Sequence, residues 1–193
     1  MNTPSAHPVE ASQARAMLAP ILLPTASAYD PSFRREGDSR AIVARMSLPL
    51  QQDAIEALRL ATSRTEVLLS MIDRSLDDSV TNDWIVTLDD YVGYANAAFS
   101  THVLADVQGS WAVLTSWDDH ALVGGDPAVV EALLRCAGLT ADASVRLFLD
   151  QWQAEWSLSG GARDVSWIRP LIGHMITADA FDLAIGQSGD WLP

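Results

Sequence analysis

The stretch Ser110-Trp-Ala-Val-Leu-Thr-Ser-Trp-Asp-Asp-His-Ala-Leu-Val-Gly-Gly125 constrains the fold more than any other, because two apolar runs flank a polar tip and end at a double glycine. Such a pattern reads as a β-hairpin. With Asp118-Asp119 as a two-residue loop, Trp117 faces His120, Ser116 pairs with Ala121 and Leu114 opposes Val123. Aspartate tolerates the left-handed backbone that a tight turn demands. Gly124-Gly125 then turns the chain, Asp126 is placed to cap a helix, and Pro127 suits the first helical position, where a missing N–H leaves nothing unsatisfied.

Most of the remaining pattern has a helical period. Pro4, Pro8, Pro20, Pro24 and Pro31 mark residues 1–40 as a Pro-rich N-terminal arm, with room for a short helix over Val9–Leu18. Met17, Leu18, Ile21, Leu22 and Leu23 are available to pack back on the body or on a neighbouring subunit. Alternation of Ile42, Ala44, Met46 and Leu48 predicts a short strand ending at Pro49. From Leu50 to Leu76, the residues Ile55, Leu58, Thr62, Thr65, Leu69, Ile72 and Leu76 recur at steps of three and four, which predicts one long amphipathic helix with Asp53, Glu56 and Arg59 off its stripe.

Trp84–Thr87 reads as a short strand, and Thr87 with Asp90 resembles a capping pair. The helix that follows carries Leu88, Tyr91, Val92, Ala95, Phe99 and Val103 on one face and stops before Gln108-Gly109. Further helices are expected over 127–136, over 141–157, from about Asp164 to Thr177, and over Asp179–Ile185. A chain of 193 residues suits one core plus an appendage. The expected fold class is therefore α+β: a mainly helical single domain, residues 41–193, with a small antiparallel β-sheet built around the 110–125 hairpin.

Charge narrows the function. The formal net charge is −13, and after Arg74 only Arg135, Arg146, Arg163 and Arg169 stand against seventeen acids. That balance argues against direct binding to nucleic acid or to anionic membrane surfaces, where affinity comes from cations. Lysine is absent, which removes Schiff-base, P-loop and kinase-type lysine chemistry. An Ala-, Asp- and Arg-rich, Lys-free composition also reads as the codon bias of a GC-rich bacterial genome. The single Cys136 forms no internal disulfide and fits a reducing cytoplasm. Met17–Leu23 followed by Ala26-Ser-Ala28 imitates a secretory signal, but prolines interrupt it and Glu10 sits in what should be a basic leader.

Motifs for chemistry are sparse. No G-x-S-x-G, H-E-x-x-H, P-loop or dinucleotide fingerprint occurs, so no catalytic residue and no cofactor is assigned. On the expected helix His102 and Asp106 share a face, and His120 lies just downstream, so these three are the metal-ligand candidates of a small metal-dependent hydrolase. The plainer reading makes His102 part of an apolar stripe, Asp118-Asp119 turn residues, and Cys136 and His174 packed side chains.

Seven tryptophans are many for this length, and Trp117 beside the acidic turn is the strongest candidate for a recognition anchor. The leading expectation is a non-enzymatic acidic module, an inhibitor, immunity-type or adaptor protein, that presents Trp117, Asp118, Asp119 and His120 to a basic protein partner. The metal-dependent hydrolase and a nucleic-acid mimic are the alternatives. A homodimer through the 50–76 helix or the N-terminal arm is the other partner expected.

Overall fold

Val67, Leu68 and Leu69 are consecutive, all apolar and all inaccessible to solvent. A strand covered on both faces has that signature, and it defines the architecture in the computed structural model, whose described residues are 6–23, 33–34, 39–46, 50–71, 83–98, 101–116, 118–188 and 191–192. The strands are β1 (His7–Pro8), β2 (Ser39–Ala44), β3 (Glu66–Met71), β4 (Asp83–Thr87), β5 (His102–Asp106), β6 (Trp111–Thr115) and β7 (His120–Gly125). The helices are α1 (Ala11–Leu18), α2 (Gln52–Thr62), α3 (Tyr91–Ala98), α4 (Pro127–Cys136), α5 (Ala141–Leu158), α6 (Ile168–Met175) and α7 (Ala178–Ser188). All seven strands form one antiparallel sheet in the order β1-β4-β3-β5-β6-β7-β2.

This corrects the expected mainly helical domain with a small sheet. The 110–125 hairpin is the β6–β7 unit of a substantial sheet, and two of the expected helices give strands to it. The helix expected over 50–76 ends at Thr62, where Ser63 takes the left-handed conformation at φ 52, and the chain re-emerges as β3. A dimer seam along 50–76 therefore lacks the continuous helix it requires; residues 72–76 lie outside the described residues. The helix expected to run from Thr87 past Val103 is α3 alone, and His102–Asp106 is a central strand. Its capping pair does form: Thr87 Oγ1 donates to Asp90 Oδ2 at 2.8 Å and accepts from Asp90 N–H at 3.1 Å.

Register divides the side chains between the two faces. Met71, His102, Thr115, Ala121 and Val43 stand in one row, so Leu69, Leu104, Val113, Val123 and Ala41 share their face. Tyr91 and Leu50 meet this first face at His102, and α2 and α4 pack on each other above it. His120, Leu122, Leu114, Val103 and Ser70 point the other way. On that second face Phe148 of α5 touches His120, Arg40 reaches His174 of α6, and Ala14 of α1 packs near Leu68.

The described part of the expected arm lies on the sheet: β1 pairs with β4, and Ile21, Leu22 and Phe33 join the main core. At the opposite edge the free N–H of Ala44 donates to Ser144 Oγ of α5 at 2.8 Å. That hydrogen bond satisfies an edge group that would otherwise invite another strand. No helix among the described residues is long and apolar enough to cross a membrane.

Candidate functional site

The hairpin tip differs from its expected form. Thr115 pairs with Ala121 and Leu114 with Leu122, so the register is shifted by one from the two-residue turn. Ser116 N–H donates to His120 O at 3.3 Å, so the pairing closes one residue further from the tip than a two-residue turn allows, and Asp119 is left-handed at φ 54. Trp117 lies outside the described residues. Asp118 and Asp119 are half-buried. The Asp118 carboxylate lies 3.5 Å from Arg163 Nη2, and its carbonyl accepts from Gln151 Nε2 at 3.0 Å. Arg163 in turn sits 5.1 Å above the Trp152 ring.

His120, expected on the presented surface, has no exposure at all. Its ring lies edge-on to Phe148 at 5.1 Å and parallel to Trp167 at 6.3 Å. Ser116 Oγ is 3.1 Å from His120 Nδ1, which superficially suggests a nucleophile and its base. The same nitrogen is 3.3 Å from the backbone oxygen of Asp118, whereas the Asp118 carboxylate faces Arg163. Ser116 Oγ also donates to His120 O and accepts from Asp118 N–H, and Ser116 is wholly buried. These bonds staple the hairpin loop, and the burial of Ser116 keeps its Oγ from presentation to a substrate.

His102, Asp106 and His120 do not converge. His102 and Asp106 lie on the first face at opposite ends of β5, four residues apart, and His120 points into the second. The Asp106 carboxylate accepts from Ser110 Oγ at 2.6 Å and lies 3.5 Å from Arg64 Nε, closing the β5–β6 turn. Among the described residues no three His, Cys, Asp or Glu side chains are grouped to hold a metal ion. His174 receives the Phe33 N–H on Nε2 at 3.2 Å, and its carbonyl accepts from Arg40 Nη1 at 3.0 Å.

Beneath α2, Tyr91 Oη and His102 Nε2 are 2.6 Å apart, and Leu50 N–H donates to the same Oη at 3.2 Å. Both side chains are fully buried, and burial holds the Tyr91 phenol far above its usual range and therefore protonated. Tyr91→Phe removes the partner of Leu50 N–H and one partner of His102. The expected result is a loss of about 2–4 kcal/mol, from two buried groups at roughly 1–3 kcal/mol each, read from urea unfolding. A loss below about 0.5 kcal/mol would show that the hydroxyl is not structural.

An open groove lies elsewhere among the described residues. Between α2 and α4 runs a groove of about 530 Å³ lined by Asp53, Glu56, Ala57, Leu60, Ala61, Ala128, Ala132, Arg135 and Cys136. Ile55 and Leu58 turn one side of α2 into the core, and Val129, Val130 and Leu133 do the same for α4, so alanines form the outer walls. The start of α2 meets the end of α4, where Asp53 touches Cys136. Burial first and the Asp53 carboxylate second push the Cys136 thiol upward, which suppresses its thiolate and its reactivity. Leu60, 76% exposed, stands on the rim. Leu60 was legible as an apolar residue off the Ile55–Leu58–Thr62 stripe; the alanines carried no such signal, because alanine is common both inside and outside.

No protein-family model, no curated protein and no solved structure matches this chain.

Proposed function

We propose that this protein is a non-enzymatic, acidic protein-binding module that acts on a basic protein partner. One observation carries the reading. The side chains best suited to chemistry in this sequence, His102, Asp106, Ser116 and His120, are at most 1% exposed and hold strands, turns and rings together. A substrate has no access to groups so placed, whereas a partner has access to an acidic surface and to the groove between α2 and α4. The net charge of −13 draws in a cationic protein, raising its association rate more than its final affinity.

A nucleic-acid mimic needs its acids free and set in rows. Asp83 and Asp106 are buried here, bonded to Ser70 and Ser110, while Asp89 pairs with Arg59 and Asp118 with Arg163. That weakens the mimic relative to a module with a localised docking surface.

The test is to isolate the full chain from its native cell, identify what co-purifies by mass spectrometry, and measure association of the purified pair against salt. The expected partner is a net-positive protein whose association slows by about tenfold or more between low and physiological salt. A neutral or acidic partner, or a rate indifferent to salt, overturns the reading.

A further inference from the structure

We infer that the groove between α2 and α4 receives an amphipathic, basic α-helix from the partner, seated over about two turns. This rests on the protein-binding reading above and assigns it a site and a ligand chemistry.

The walls dictate a helix. Ala57 and Ala61 on α2, and Ala128 and Ala132 on α4, are each spaced by four residues and so lie one turn apart along their helices. Small side chains at that spacing let a third helix approach as closely as helices pack, roughly 8–10 Å between axes. An extended peptide gains little here, because the interior backbone groups of helices are already hydrogen-bonded to each other. The strand-addition route at β2 is blocked where Ala44 N–H is held by Ser144 Oγ. The lining runs from Asp53 to Ala61 on α2 and from Ala128 to Cys136 on α4, about 12 Å along each helix at 1.5 Å per residue, which fits some two turns of occupant.

The charges choose the occupant's sign. Asp53 and Glu56 line the groove with Arg135, and the single guanidinium of Arg59 is shared between Glu56 and Asp89, so the acids keep an excess there. The field of the whole chain, at −13, has the same sign. It disfavours a second copy of this protein as occupant and favours a helix that places Lys or Arg beside its apolar stripe. Leu60 supplies apolar contact at the rim, where its exposure leaves it free to be covered.

Cys136, the single cysteine of the chain, lines the groove and so reports its occupation without any engineering. A phage-displayed library of helix-forming peptides of about four turns, randomised over apolar, acidic and basic residues, would be selected on the immobilised full chain. The enriched peptides are expected to carry an apolar stripe at helical spacing flanked by Lys or Arg, and at saturation to slow alkylation of Cys136 by iodoacetamide. Leu60→Ser and Leu60→Arg alter an exposed side chain and leave the fold intact; each should weaken those peptides, Leu60→Arg by about tenfold or more.

Enrichment of acidic or non-helical peptides overturns the inference. So does an absence of enrichment, alkylation at the free rate under saturating peptide, or affinity indifferent to both Leu60 variants. A concentration-dependent dimer of the full chain that Leu60→Arg dissolves would put a second copy in the groove and would equally overturn it. If the basic partner found by co-purification binds Leu60→Arg as well as the parent protein, the groove fails while the protein-binding reading stands. If no basic partner is found but the selected peptides behave as expected, the reverse holds.

Discussion

Gly125→Ala is expected to cost the fold about 3 kcal/mol or more, the sum of backbone strain and overpacking at roughly 1–3 kcal/mol each. Gly125 closes β7 with φ at 111, a region L residues rarely enter. A β-carbon there would run into the Ser110 carbonyl oxygen and stand 2.7 Å from Trp111 Cα, both backbone atoms that no rotamer change can move aside. The same Ser110 carbonyl accepts Asp126 N–H at 3.0 Å, so relieving the clash also disturbs the residue that caps α4. Gly138→Ala is the internal control. Gly138 is left-handed too, at φ 69, but its β-carbon would meet nothing within 4 Å, so only the conformational penalty of about 1–2 kcal/mol remains. Urea unfolding of both variants separates the two contributions: equal losses would show that Ser110 can yield, and the close approach would carry no weight.

The second glycine of the hairpin thus matters for a reason the sequence shows only in outline. Local chemistry was readable where it is local. Asp126 caps α4 through Ala128 N–H at 2.9 Å with Pro127 at the first helical position, Thr87 and Asp90 pair as their types suggest, and α5 runs over Ala141–Leu158. The sheet was not readable in the same way. β3 and β5 are buried on both faces, so they lack the alternation that marks a half-exposed strand, and short apolar runs fit a helical stripe equally well. Thr65 and Leu69 fell on such a stripe by coincidence of spacing, and so did Phe99 and Val103.

The hairpin register was missed by one residue because Ser116 uses its own hydroxyl to tie the loop and Asp119 takes the left-handed position. For the site, the sequence pointed at the polar tip, yet His102 and His120, separated by 17 intervening residues, ended on opposite faces through strand alternation alone. The groove depends on which sides of α2 and α4 are turned inward, a tertiary fact for which Leu60 alone left a trace.

Phe148→Ala carries the other large effect, about 3–5 kcal/mol, the range for deleting a fully buried phenylalanine and leaving a cavity. Phe148 has no exposure and stands between the hairpin and the helices: its ring meets His120 at 5.1 Å, Trp167 at 6.1 Å and Trp152 at 6.4 Å. Without it the buried His120 imidazole loses its edge contact, and the loop of Ser116, Asp118 and Asp119 loses the support beneath it. Arg163→Ala tests the same loop from outside. It removes the Asp118 ion pair and the contact with Trp152, but Arg163 is nearly half exposed, so solvent screening holds the loss to about 1 kcal/mol or less. Urea midpoints decide between a packed brace and a surface contact: similar small losses in both variants would mean that the aromatic cluster does not support the hairpin. Partner binding by Phe148→Ala, measured well below its unfolding midpoint, then separates the two docking surfaces. Binding at the groove persists when the tip is loosened, whereas a partner docked on Asp118 and Asp119 is lost together with the geometry that Phe148 maintains.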